Sequence, residues 1–212
     1  MTRKIAGLFF CSELCTAIRR QTIPPFGGYM QNLLSRVWFL NQGCKQVPLE
    51  HSRGIVRWGH PDGYFLNAQG QKEGINMSPS SLRAAKDPNR KKGKSYPIFN
   101  DRKQGAYCHI HMALAFYGDR PTYIDPKTGK EYVGIVHHLI PDPLDYKPDN
   151  LLCWLTREEH NEADRRQRAL RKVLPDMHAI SYDEHRRLQD PRTMSCEAFE
   201  LELQKLRDHA SK

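Results

Sequence analysis

The sequence predicts an α+β protein in which short strands and hairpins give way to a run of helices. Two observations carry this reading. Up to Leu155 the apolar runs are brief and punctuated by Gly and Pro, as short strands and turns require. Beyond Thr156 the chain turns helical, interrupted at Pro175. With 212 residues, the chain holds at most two compact domains of roughly 100–200 residues each.

In chain order, Leu33, Leu34, Val37 and Trp38 recur at helical spacing and predict a helix over 31–40. The stretch 62–71 reads as a hairpin with Gly63 and Gly70 at its turns. Residues 83–103 are basic and poorly apolar. Strands are predicted over 96–99 and 106–110, then a short apolar helix over 111–117 that stops at Gly118. A turn at 126–129 leads to a strand over 132–136, a loop over 141–148 and a second strand over 151–155. Thr156 and Glu159 fit a capping box, which starts a helix expected to run to about Lys172 and to stop before Pro175. Two further helices are expected, over 182–189 and from a cap at Ser195 to about His209. The expected organisation is a segment 1–56 without assigned role, a domain over 57–174 centred on 132–172, and a helical extension over 175–212.

Composition narrows the partner. Lys and Arg exceed Asp and Glu by nine, 33 against 24, which points to a polyanion, nucleic acid ahead of a membrane surface. No apolar run is long enough to span a bilayer. The apolar start of the chain is broken by Ser12 and Glu13, so a cytoplasmic location is expected rather than secretion. Six scattered cysteines fit reduced thiols better than a disulfide framework. Arg90, Lys91, Lys92 and Lys94 lie in a stretch with few acidic residues and are candidate phosphate contacts, followed by Arg165 and Arg168 on the capped helix.

The chemistry is concentrated between Val136 and Asn161. His137 and His138 close a strand, Asn150 precedes the next strand, and His160 stands in the first turn of the capped helix. Imidazoles on a hairpin and on a helix packed against it can converge on one divalent ion. Neighbours in a regular strand face opposite ways, so His137 and His138 share a site only if the strand ends or bulges there.

These residues resemble the HNH endonuclease family, in particular its homing-type phage and bacterial branch. The His-His pair, Asn150-Leu151 twelve residues after His138, and a His opening the next helix carry the resemblance. His111-Met112-Ala113-Leu114-Ala115-Phe116 is similar to the helix that precedes the motif, so the likeness covers about 58–165. It implies a ββα core around a single metal ion and a phage or mobile-element setting. It also implies His138 as general base, His137 and His160 as metal ligands, and Asn150 as the brace that orients the base. The implied cofactor is one divalent ion, Mg²⁺ in the cell with Mn²⁺, Ni²⁺ or Zn²⁺ as alternatives. The implied partner is double-stranded DNA, and the activity is hydrolysis of its phosphodiester bonds. His160 follows Asn150 by ten residues, one more than the resembled pattern. One extra residue within 151–155 accounts for this, with Asn161 as the fallback ligand. The alternative reading is a DNA-binding or regulatory protein that keeps the scaffold and does not cut.

Overall fold

A computed structural model describes residues 28–77, 96–99 and 107–210 of the chain. The chain divides into two compact units, Met1–Trp38 and Phe39–Lys212, and the candidate site lies wholly in the second. Among the described residues the fold is α+β: five α-helices accompany small antiparallel sheets. None of these helices is long and apolar enough to cross a membrane.

Helix α1 (Gly28–Asn41) is followed by β1 (Lys45–Gln46), β2 (Arg57–His60) and β3 (Tyr64–Asn67), which form one antiparallel sheet in that order. β2 and β3 pair across a turn at Gly63, so the hairpin lies over 57–67, upstream of the expected 62–71, with Gly63 at a turn as expected. β4 (Ile75–Met77) pairs with β5 (Pro97–Phe99). Helix α2 (Cys108–Tyr117) starts three residues earlier than its expected position, and the strand expected over 106–110 is absent from its described part. Only Tyr107 keeps a strand contact, a bridge to Ile98. The reason is periodicity: Cys108, His111 and Met112 are all buried at helical spacing, which an alternating strand cannot achieve.

β6 (Thr122–Ile124) and β7 (Glu131–Val133) form a hairpin whose turn is held by Asp125, which accepts from the Lys127 and Thr128 amides. The strand expected over 132–136 is split at Gly134 into β7 and β8 (Ile135–His138). A Cβ at Gly134 would lie 3.1 Å from the Trp154 Cα and 3.3 Å from the Pro121 ring, so a larger residue there would force its neighbours to give way.

β8 pairs with β9 (Leu151–Leu155), and helix α3 (Arg157–Val173) follows directly. Both halves of the capping box form: the Glu159 amide donates to the Thr156 hydroxyl, and the Thr156 amide donates to the Glu159 carboxylate at 2.7 Å. α4 (Tyr182–Gln189) and α5 (Cys196–Ala210) then pack on α3. The helices after Thr156 thus lie where the sequence predicts them.

The core follows these elements. Phe65, Phe99, Met112, Val136, Leu151 and Cys153 pack between α2 and the strands. Leu139, Leu152, Leu155 and Ala163 seal the β8–β9 hairpin onto α3. Leu170, Leu188, Phe199 and Leu203 join α3, α4 and α5. On α3 the buried residues Ala163, Arg166, Gln167 and Leu170 form one face. Arg166 is 1% exposed and is satisfied by Glu162 and by the Leu188, Asp190 and Met194 carbonyls, which ties α3 to the α4–α5 turn.

Candidate metal centre

β8 runs into the site through a bulge. Ile135 pairs with Leu155, but His137 pairs with Leu152, so β9 carries one residue more than β8 over this span. That extra residue falls within 151–155. Trp154 absorbs the distortion at φ +62°, a left-handed conformation rare for a bulky side chain. It is held by a hydrogen bond from its indole to the Tyr117 carbonyl (3.3 Å) and by one from the Tyr123 hydroxyl to its own carbonyl (2.8 Å). The strand ends at His138, and both histidines border the same cavity from different sides.

Both histidines line one cavity of about 140 Å³, together with Tyr96, Val136, His160, Asp164 and Gln167. The His137 and His160 rings meet edge to face, with centroids 5.5 Å apart. His137 Nδ1 lies 3.3 Å from Asp164 Oδ1, and the donor atoms of His137, His160 and Asp164 fall within 4.8 Å of one another. Two imidazoles and a carboxylate fit a divalent cation, and three protein ligands leave positions open for water and substrate. His137 is 4% exposed in its side chain and Asp164 43%, so the group is anchored in the core and opens toward solvent. Asn161 is exposed and does not line the cavity. Among the described residues a second such group, Glu50, His51 and Asp119, lies entirely on the surface.

His138 occupies the other side. Its ring lies 5.1 Å from that of His109, edge to face, and 5.8 Å from that of Tyr96. Burial pushes the His109 imidazole down to about 4, with the Arg120 charge adding to the effect, so His109 is neutral near pH 7. Asn150, fully buried, staples the loop between the strands. Its amide oxygen accepts from the Ile140 N–H at 2.7 Å, and its amide nitrogen donates to the Ile140 and Asp145 carbonyls. Asn150 thereby ties the start of the loop at Ile140 to its later part at Asp145.

His137, His138 and His160 come together, with Asn150 behind them. Asp164 and Gln167 complete the cavity and were not singled out by sequence. Asp164 did carry a signal, because it follows His160 by four residues and so shares its helix face. Gln167 carried none. Arg90, Lys91, Lys92 and Lys94 lie outside the described residues. Arg165 is engaged by Glu162 and Glu200, at 2.8 and 2.9 Å, and links α3 to α5. Its guanidinium holds the Glu162 carboxyl down at about 2, with Arg166 assisting. Arg168 is exposed and donates to the Asp164 backbone carbonyl. No protein-family model, curated protein or solved structure matches the chain.

Proposed function

We propose that this chain is a divalent-metal-dependent DNA endonuclease of the HNH type, with β8, β9 and α3 as its ββα-metal core. The observation that carries the reading is the convergence of His137, His160 and Asp164 beside a second, adjacent histidine in one open cavity. In this reading those three side chains hold the metal. When bound, the ion supplies Lewis-acid stabilisation of the phosphate and of the leaving 3′ oxygen. His138 takes the proton from the attacking water, work suited to an imidazole whose ordinary pKa is about 6.5. Asn150 holds the loop that orients His138. The duplex is gripped by sequence-independent phosphate contacts from Arg90, Lys91, Lys92 and Lys94, assisted by Arg168 at the edge of the site. Arg165 adds less, because two carboxylates offset its charge.

The test is incubation of supercoiled plasmid with purified protein and Mg²⁺ or Mn²⁺, repeated with EDTA. Nicked or linear DNA that disappears on chelation is the expected result. A retarded but intact plasmid with both ions would sink the reading in favour of a DNA-binding or regulatory protein. The grip is tested separately: replacing Arg90, Lys91, Lys92 and Lys94 together by Ala flattens log affinity against log salt by roughly two to four units. An unchanged slope removes that stretch from the DNA-binding surface.

A further inference from the structure

Helix α4 lies beyond the stretch that resembles a nuclease, yet it reaches the metal centre. We propose that Gln189 on α4 is a positioning residue that fixes the tautomer of His137, leaving Nδ1 as the nitrogen that takes the metal. This rests on the metal-centre reading above.

The argument is a count of hydrogens. Gln189 is fully buried, and its amide nitrogen lies 3.0 Å from the Leu139 carbonyl and 3.0 Å from His185 Nδ1. A backbone carbonyl can only accept, so the NH₂ end of Gln189 must face it. His185, also fully buried, donates through Nε2 to the Met177 carbonyl at 2.6 Å, which leaves its Nδ1 as an acceptor in the neutral ring. Both Gln189 hydrogens are thereby used. Its oxygen is turned to His137 Nε2 at 3.3 Å, where only a donor satisfies it.

Gln167 also approaches His137 Nε2, at 3.2 Å, and could supply a hydrogen that would reverse the tautomer. It has none left. The Gln167 amide nitrogen donates to the His138 and Leu139 carbonyls, and these take its two hydrogens. His137 therefore carries its hydrogen on Nε2 and gives it to Gln189. Its Nδ1 is a bare lone pair aimed at the Asp164 carboxylate 3.3 Å away. Two acceptors facing each other at that distance are reconciled by a cation between them, a metal ion or a proton on Nδ1. The chain Met177, His185, Gln189, His137 runs from the backbone of the extension to the ligand atom, the arrangement by which metal-binding histidines are oriented.

The experiment reads the proton directly. Long-range ¹H–¹⁵N spectra of the metal-free wild-type protein, with His137 assigned through His137→Gln, should show its hydrogen on Nε2. Calorimetric titration with Zn²⁺ should then give binding that Gln189→Met weakens about 10–100-fold, and the variant's His137 should populate both tautomers. Wild-type protein that binds Zn²⁺ but carries the His137 hydrogen on Nδ1 overturns the role of Gln189 alone. That measurement needs no variant, so a Gln189→Met that fails to fold does not shield the proposal. Unchanged affinity and tautomer in a folded Gln189→Met also overturn it. Wild-type protein that takes up no Zn²⁺ overturns the metal-centre reading itself.

Discussion

His137 and His138 are neighbours in one strand, yet the two sides of the cavity they line are built from different materials. Around His137 stand the amides of Gln167 and Gln189, the Asp164 carboxylate and the edge of the His160 ring. Around the His138 ring stand two more rings, Tyr96 and His109. A ligand needs a fixed lone pair, and polar partners on several sides fix it. A general base must bind and release a proton without rebuilding its surroundings, and burial keeps the neighbouring His109 ring neutral near pH 7. In the proposed reading, the division of labour between ligand and base follows from the two environments more than from the two identical side chains.

Separate substitution of the two histidines is the strongest way to break this comparison. His138→Ala should lower plasmid cleavage by about 10²–10⁴-fold, the usual worth of a general base, with Mn²⁺ affinity nearly unchanged. His137→Ala should do the reverse in binding, reducing Mn²⁺ affinity by more than about 100-fold, since partners behind a ligand alone account for 10–100-fold. His160→Ala and Asp164→Ala should behave like His137→Ala, and Asn161→Ala should be silent. Calorimetry and a cleavage time course check both quantities. If His138→Ala strips the metal, the two sides are not distinct and His138 belongs to the ligand set.

The parts of this arrangement were unequally legible in the sequence. Local signals worked: the Thr156 and Glu159 box, the Pro175 stop and the Ser195 cap each lie within a few residues of the helix they announce. The register of β8 and β9 shifts by one residue between Ile135 and His137, a bulge that no residue pattern in 151–155 announces. The strand expected over 106–110 failed because a short apolar run fits either period, and packing against β2 and β5 settled it. Asp164 was obscured by Glu158, Glu159 and Glu162, among which it reads as one more charge balancing the arginines. Gln189 was not legible at all. It stands 52 residues from His137, and a glutamine has no motif that announces such a partner.

Asn150 sharpens the comparison at the next level of effect, since it serves the His138 side without touching metal. Asn150→Ala leaves the Ile140 N–H and C=O and the Asp145 carbonyl without this partner, a cost of about 1–3 kcal/mol. At about 2–4 °C for each kcal/mol in a chain of this size, the melting temperature should fall visibly. Cleavage should fall further than Mn²⁺ affinity. An unchanged melting temperature would show that the loop is held by something other than this amide.

The smallest expected effect tests whether the aromatic wall is a neutral one. His109 has its pKa pushed from the ordinary 6.5 down to about 4 by burial. Between those values the unfolded chain takes up a proton that the folded one refuses, so stability is full above pH 6.5 and falls as acid is added. The loss is about 1.4 kcal/mol for each pH unit inside the window and ends near pH 4. From pH 7.5 to pH 5.5, urea unfolding of the wild-type protein should therefore lose about 1–1.5 kcal/mol to this group. His185 is shifted down by burial as well, so the informative quantity is the difference between wild type and His109→Phe. The Phe ring keeps the wall and removes the titration, and its stability should be flatter by that amount while Zn²⁺ affinity stays the same. Parallel pH profiles for the two proteins would mean that His109 meets solvent or an acidic partner in solution, and that the His138 side is no drier or more neutral than the side that holds His137.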